Sequence, residues 1–178
     1  RVASPEPLET EVRGFRILSM PRPSLGGAVV ERVLELLSVV DQPSLVDEVR
    51  AIAEAYGPSG SGPLTGTTHV SVVDASGMAA ALSSTLGSGS GVFRGGAQLN
   101  NMLGELDVIG TDEKRPGDRL SSMMTPTFVL DAGQPRLVIG SAGSVRLAGA
   151  IAQVIWRILE GARVADAIDA PRVHVDGS

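Results

Sequence analysis

Apolar positions recur along this chain with two different periods, and the period changes at a stretch of Pro, Gly and Ser. Residues 14–20 (GFRILSM) read as a short strand, ended by Pro21-Arg22-Pro23-Ser24. From 25 to 40, Val29, Val33, Leu36 and Leu37 repeat at helical spacing. Ser44 then caps a second helix, with Asp47 three residues on in the manner of a capping box. Leu45, Val46, Val49, Ile52 and Ala53 form its apolar stripe, and Tyr56-Gly57 closes it. Residues 58–66 (PSGSGPLTG) read as a flexible linker.

Beyond the linker the pattern turns to strands. Residues 68–75 and 78–86 make a hairpin across Asp74-Ala75-Ser76-Gly77, followed by a GSGSG loop at 87–91. Val92-Phe93 and residues 99–103 come next, then a charged, solvated loop at 114–117. A second hairpin joins 127–130 to 136–139. Ser141-Ala142-Gly143-Ser144 is a tight turn into a long helix, 145–160, with Leu147, Ile151, Val154, Ile155, Ile158 and Leu159 as its stripe and Gly161 as its stop. A short helix at 164–170 and a strand at 172–175 finish the chain. The order predicts an α+β or layered α/β fold with antiparallel sheet.

Composition narrows the classes. The 178 residues suit a single domain, and 22 Gly with 11 Pro make it rich in loops. A hydrophobic content of 43 % argues against wholesale disorder, and no apolar run is long enough for a membrane-spanning helix. A net charge of −5 with 3 % aromatics disfavours a nucleic-acid platform. Without Cys there is no disulfide framework, thiolate metal site or Cys nucleophile. His69 and His174 cannot alone make a three-His metal site. Position 1 is Arg, so the sequence reads as processed or as part of a longer chain, and no compartment is assigned.

The sharpest chemical feature is Gly66-Thr67-Thr68-His69, where linker meets strand. Read locally, Thr67 is a β-branched residue starting a strand and His69 a surface or core histidine. The functional reading is different. Were the Gly66–Thr67 bond cut, Thr67 would gain an α-amine with a pKa of roughly 7.7–8.0, close enough to serve its own hydroxyl as general base. The same hydroxyl can make the cut by attacking the preceding carbonyl, and Gly66 eases the geometry. The turn before the long helix offers backbone N–H groups for an oxyanion. Glu105 is a solvated acid or a partner for an ammonium group.

Taken together, Thr67-Thr68-His69-Val70-Ser71-Val72-Val73-Asp74, Leu99-Asn100-Asn101, Leu120-Ser121-Ser122-Met123, Thr125-Pro126-Thr127, Gly140-Ser141-Ala142-Gly143 and Ala170-Pro171-Arg172 resemble, in order, the small subunit of γ-glutamyltransferases, self-cleaving N-terminal-nucleophile hydrolases. Residues 19–27 (SMPRPSLGG) are similar to a segment near the end of that family's large subunit. The resemblance implies half of a four-layer αββα sandwich: 1–57 from the large subunit, 58–66 a linker, and 67–178 the catalytic subunit, incomplete at its C-terminus. It implies autocleavage between Gly66 and Thr67, Thr67 as nucleophile of a γ-glutamyl ester, and Thr85 as its hydrogen-bond partner. Gly143 and Ser144 would supply the oxyanion donors. Ser121 and Ser122 would hold the donor's α-carboxylate and Glu105 its α-ammonium, with Asn101 and Met102 beside them. The implied donor is glutathione-like, with water, an amino acid or a peptide as acceptor; no metal or organic cofactor is implied.

Some positions depart from the family pattern. Met102 stands where members carry Gln or Glu, and the GSGSG loop is shorter than its counterpart. These keep open an acylase acting on another N-acyl substrate, beside a non-cleaving, non-catalytic member. The implied partner is the N-terminal portion of the large subunit, including an Arg that clamps the α-carboxylate. The 178 residues alone are expected to leave sheet edges and apolar faces uncovered, without forming a stable active enzyme.

Overall fold

The computed structural model describes residues 4–57, 66–105 and 113–175. The expected linker therefore lies, except for Gly66, outside the described residues. The chain begins with a hairpin, β1 (Leu8–Val12) and β2 (Phe15–Ser19). Its two-residue turn places Arg13 (φ 52°) and Gly14 (φ 81°) in the left-handed region that matches strand twist. Helices α1 (Gly26–Ser38) and α2 (Leu45–Tyr56) follow, and Ser44 and Asp47 form the expected capping box.

Next come a two-stranded sheet, β3 (Thr67–Val73) with β4 (Ala79–Thr85), and a minimal ribbon, β5 (Phe93–Arg94) with β6 (Ala97–Gln98). Strands β7 (Thr127–Asp131) and β8 (Gln134–Ile139) return to the first hairpin, giving an antiparallel sheet in the order β1-β2-β7-β8. Helices α3 (Leu147–Leu159) and α4 (Val164–Asp169) end the described chain. No helix among the described residues is long and apolar enough to cross a membrane.

The core forms where the inward residues of the larger sheet meet the helices. Val12, Ile17 and Val129 pack with Val30, Val33, Leu34 and Leu37 of α1, Ile52 of α2, and Leu147, Ile151 and Ile155 of α3. Period-2 alternation in β2 sends Ile17 inward and Arg16 outward, where its guanidinium meets Glu9 at 2.8 and 3.0 Å. Arg13 leaves the turn to lie over the Trp156 ring, 4.5 Å from its centroid, while pairing with Glu160.

The β3–β4 hairpin has two different faces. Thr67, His69 and Ser71 lie toward β8, while Val70, Val72 and Leu82 point to solvent, Leu82 being 66 % exposed.

Two expectations need correction. Residues 8–12 form a strand that the pattern did not announce. Residues 172–175 are not a strand: the Val173 backbone is satisfied by the amide of buried Gln153, which donates to its carbonyl at 2.9 Å and accepts from its N–H at 2.9 Å. A side chain thus takes the place of a neighbouring strand.

Tyr56 ties α2 to α3, its phenol oxygen accepting from the Gly149 N–H at 2.8 Å, in the first turn where helix N–H groups lack intrahelical partners. Burial pushes its pKa from 10.0 up to about 12. A raised phenol pKa gives stability that is complete below pH 10 and is lost as pH climbs through about 12. Tyr56 is the sole tyrosine of the sequence. In the protein containing this chain, the tyrosinate absorbance lost on Tyr56→Phe substitution should therefore belong to a late transition coincident with alkaline unfolding; ionisation of Tyr56 near pH 10 in the folded protein would contradict the buried bond.

Candidate active site

Antiparallel register sets Thr67, the first residue of β3, directly opposite Thr85, the last of β4. Their hydroxyls are 3.3 Å apart, with Thr67 donating, and Thr85 in turn donates to the carbonyl oxygen of Gly66, also at 3.3 Å. The Gly87 N–H donates to Thr85 Oγ1 at 3.1 Å and so fixes that hydroxyl. The Gly66 carbonyl accepts a second, long bond from the Leu86 N–H at 3.5 Å. Thus the oxygen of the Gly66–Thr67 peptide faces two donors, and the Thr67 hydroxyl connects to it through Thr85.

The cleft around this pair is lined by Thr67, Thr85, Met102, Glu105, Ser122, Met123, Met124, Ser144 and Leu147. It encloses about 20 Å³, room for a single water. Glu105 is only 4 % exposed and follows a 3₁₀ turn, Met102–Gly104. Ser122 is held by a bridge to Ser24, its carbonyl accepting from the Leu25 N–H at 2.7 Å and its hydroxyl from the Met124 N–H at 3.0 Å. The 19–27 and 120–127 motifs are consequently two sides of one support.

At the far wall, Gly143 (φ 127°) and Ser144 (φ 52°) form consecutive positive-φ residues. For Ser144 that conformation costs roughly 1–3 kcal/mol, strain of a kind that clusters at functional sites. The turn continues as a 3₁₀ segment, Ser144–Arg146, into α3.

Not every expected residue enters the cleft. Asn101 stands behind it, donating through Nδ2 to Ser88 Oγ at 2.8 Å and through its backbone N–H to the Leu86 carbonyl at 3.1 Å. Ser121 faces a separate pocket with Arg22, Lys114 and Arg119. Gly143 lines a groove of about 680 Å³ with Gly140, Ala142 and Arg146, next to the cleft that Ser144 lines. Conversely, Met123, Met124 and Leu147 line the cleft without having been singled out. Methionine next to a serine pair carries no chemical signal of its own, although its apolar bulk is what closes the floor.

Gly87 is required for shape: at φ +61°, a Cβ there would sit 2.7 Å from Asn101 Oδ1 and 3.2 Å from Glu105 Oε1.

A family model described as gamma-glutamyltranspeptidase matches residues 44–177. The glutathione hydrolase proenzyme of Escherichia coli K12 is 26 % identical, the match covering 94 % of this chain and 41 % of that protein. The human glutathione hydrolase 5 proenzyme is 33 % identical over 71 % of this chain and 25 % of its own length. Among solved structures, a cephalosporin acylase from Bacillus halodurans superposes with a TM-score of 0.74 at 20 % identity, covering 94 % of this chain and 40 % of that one. The chain thus spans less than half the length of these relatives, and the acylase shares its α+β, N-terminal-nucleophile hydrolase fold.

Proposed function

The chain belongs to the gamma-glutamyltranspeptidase family, and on that premise we propose that it carries the catalytic centre of a self-cleaving γ-glutamyl transferase and hydrolase. The observation that carries the reading is the hydroxyl path from Thr67 through Thr85 to the Gly66 carbonyl. In the first step Thr67 Oγ1 attacks the Gly66 carbonyl carbon. Its proton passes to Thr85 Oγ1 while the Thr85 proton passes to the carbonyl oxygen, so no charge is left stranded. Collapse breaks the C–N bond as the hydroxyl formed from the carbonyl gives its proton up to the departing nitrogen, and an ester joins Gly66 to Thr67 Oγ1. Water hydrolyses that ester, freeing the Gly66 carboxylate and the Thr67 hydroxyl. Residues 58–66 then end one subunit begun by 1–57 and its preceding sequence, and 67–178 belong to the other.

In turnover the new Thr67 amine takes the hydroxyl proton, and the alkoxide attacks the γ-amide carbonyl of a glutathione-like donor. The N–H groups of Gly143 and Ser144 stabilise the oxyanion, a contribution of about 2.7–4 kcal/mol per donor. The amine returns its proton to the leaving group, and water, an amino acid or a peptide takes the acyl group. Buried Glu105 suits the donor's α-ammonium, with Asn101 behind it, and Ser122, the one of the serine pair that lines the cleft, suits its α-carboxylate. The N-terminal portion of the large subunit is the partner that completes the centre.

Met102 supports a second reading. A thioether is a poor substitute for an amide or carboxylate beside an ammonium group. An N-acyl donor without that amine would fit the same nucleophile. The test compares a γ-glutamyl anilide with the matching glutaryl anilide on the protein containing this chain. The first reading expects preference for the γ-glutamyl donor, and Glu105→Gln should raise its KM about 10- to 100-fold, as loss of a charge-assisted bond implies. Preference for the glutaryl anilide, unaffected by Glu105→Gln, would establish the acylase reading instead.

A further inference from the structure

The polar ladder on the inner face of β3–β4 does not stop at Thr67 and Thr85. The next pair on that face is His69 opposite Ser83, and then Ser71 opposite Ala81. His69 uses both ring nitrogens, Nδ1 lying 2.8 Å from Ser83 Oγ and Nε2 2.8 Å from Ser71 Oγ. Ser71 donates its own proton to the Val138 carbonyl of β8 at 3.1 Å. With that proton committed, Ser71 Oγ accepts from the ring, so Nε2 carries the hydrogen and Nδ1 accepts from Ser83. The bonds run one way, from Ser83 through His69 and Ser71 to Val138.

The ring also rests on Gly140, where an added Cβ would lie 2.1 Å from Nδ1 and 2.4 Å from Cγ. Gly140 follows β8 directly and opens the turn that leads to Gly143 and Ser144. Strands β3 and β8 belong to different sheets, so no backbone ladder sets the spacing between them. His69 contacts both sides of that gap, two residues from Thr67 on the same face of its strand.

We propose that His69 is a positioning residue: a neutral imidazole, bonded to Ser83 and Ser71 and seated on Gly140, that sets the distance between the strand carrying Thr67 and the turn carrying Gly143 and Ser144. The proposal rests on the reading of Thr67 as nucleophile and of that turn as oxyanion site. Burial of the ring lowers its pKa, in keeping with the uncharged form. The assignment separates two reactions. Self-cleavage draws its donors from Thr85 and Leu86, which travel with β4 and its end, so it does not depend on the spacing to the turn. Turnover does, because the donor's oxyanion must reach the turn. A displacement of about 1 Å there can cost about 100-fold in rate.

The experiment uses the full precursor containing this chain, with His69→Leu, His69→Gln and Ser71→Ala, read by intact mass for self-cleavage and by kcat and KM on a γ-glutamyl anilide. His69→Leu should process like the parent, lose about 10- to 100-fold in kcat, and change KM less than threefold. His69→Gln, which restores a donor to Ser71, should recover most of the kcat. Ser71→Ala breaks the link to Val138 with a smaller change in volume and should lower kcat in the same way, even if the Leu variant fails to fold. Unchanged kcat in Ser71→Ala and in folded His69→Leu would overturn the positioning role. So would losses of processing, kcat and melting temperature in parallel without rescue by Gln, since that pattern marks a merely structural residue. A parent that neither cleaves nor turns over overturns the reading of Thr67 itself, an outcome distinct from failure of His69 alone.

Discussion

Thr67→Ala is expected to leave the precursor as one species and to remove turnover altogether. The alanine lacks the oxygen that attacks Gly66, so no ester forms, and the α-amine that would act as base never appears. Loss of nucleophile and base together should lower kcat by at least about 10⁴-fold, the scale seen when members of a catalytic unit are removed. Denatured intact mass, fresh and after incubation, decides the matter. The parent should resolve into two fragments, the smaller beginning at Thr67, while the alanine variant stays whole at all times. Thr67→Ser keeps the oxygen and should still cleave. Cleavage of the alanine variant at Gly66–Thr67, or a parent that remains whole, would remove the N-terminal nucleophile.

A second large effect is expected far from any reacting atom. Gly27 lies at the start of α1, where a Cβ would stand 2.0 Å from the Met20 carbonyl oxygen and 3.0 Å from Ser19 Oγ. Its neighbour Gly26 is as close to the Met123 carbonyl, at 2.1 Å. Both obstacles are backbone, and neither can swing aside. Elsewhere in a helix, Gly→Ala stabilises by about 1 kcal/mol. At Gly27 the sign should reverse, with a cost of about 3 kcal/mol or more from overpacking. The melting temperature of the protein containing this chain should then fall by several degrees. Gly149→Ala is the comparison: its Cβ would meet the Tyr56 ring at 3.2 Å, a side chain able to give way, so its loss should be smaller. Equal melting temperatures for Gly27→Ala and the parent would show that α1 does not need this close approach.

The contrast between these two sites reflects what a sequence can display. Helices α1, α2 and α3 are legible because their buried residues recur at helical spacing and Ser44 and Asp47 mark a boundary in plain chemistry. The β3–β4 hairpin is legible because its turn residues sit between two β-rich runs, but the register is not: closing at Met78 rather than Gly77 shifts the pairing by one residue and sets Thr85, which only the family resemblance implied, opposite Thr67. Strand β1 is not, since its turn uses Arg13 where Asn or Asp would have signalled a positive φ. The tail at 172–175 has strand-like residues, yet whether they pair depends on a buried glutamine twenty residues earlier. The same limit applies at the cleft. Thr67, Thr85, Met102, Glu105, Ser122 and Ser144 come together there, while Asn101, Ser121 and Gly143 belong to its surroundings. Adjacent residues such as Ser121 and Ser122 share a motif but line different pockets, and only the path of the backbone decides which of them borders the cleft.

One hydroxyl, that of Thr85, touches both the Thr67 side chain and the carbonyl ahead of it. On the proposed reading it serves an event that happens once in the life of each molecule and a reaction that repeats thousands of times. The two make unequal demands on speed: maturation has only to outpace degradation, whereas turnover is felt in every cycle. A change at this position that quickens the repeated reaction must still leave the single event possible, or no mature molecule exists to profit from it. Adaptation to a new substrate should therefore enter through residues such as Met102, which lines the cleft without bonding to either threonine hydroxyl, and leave Thr85 untouched.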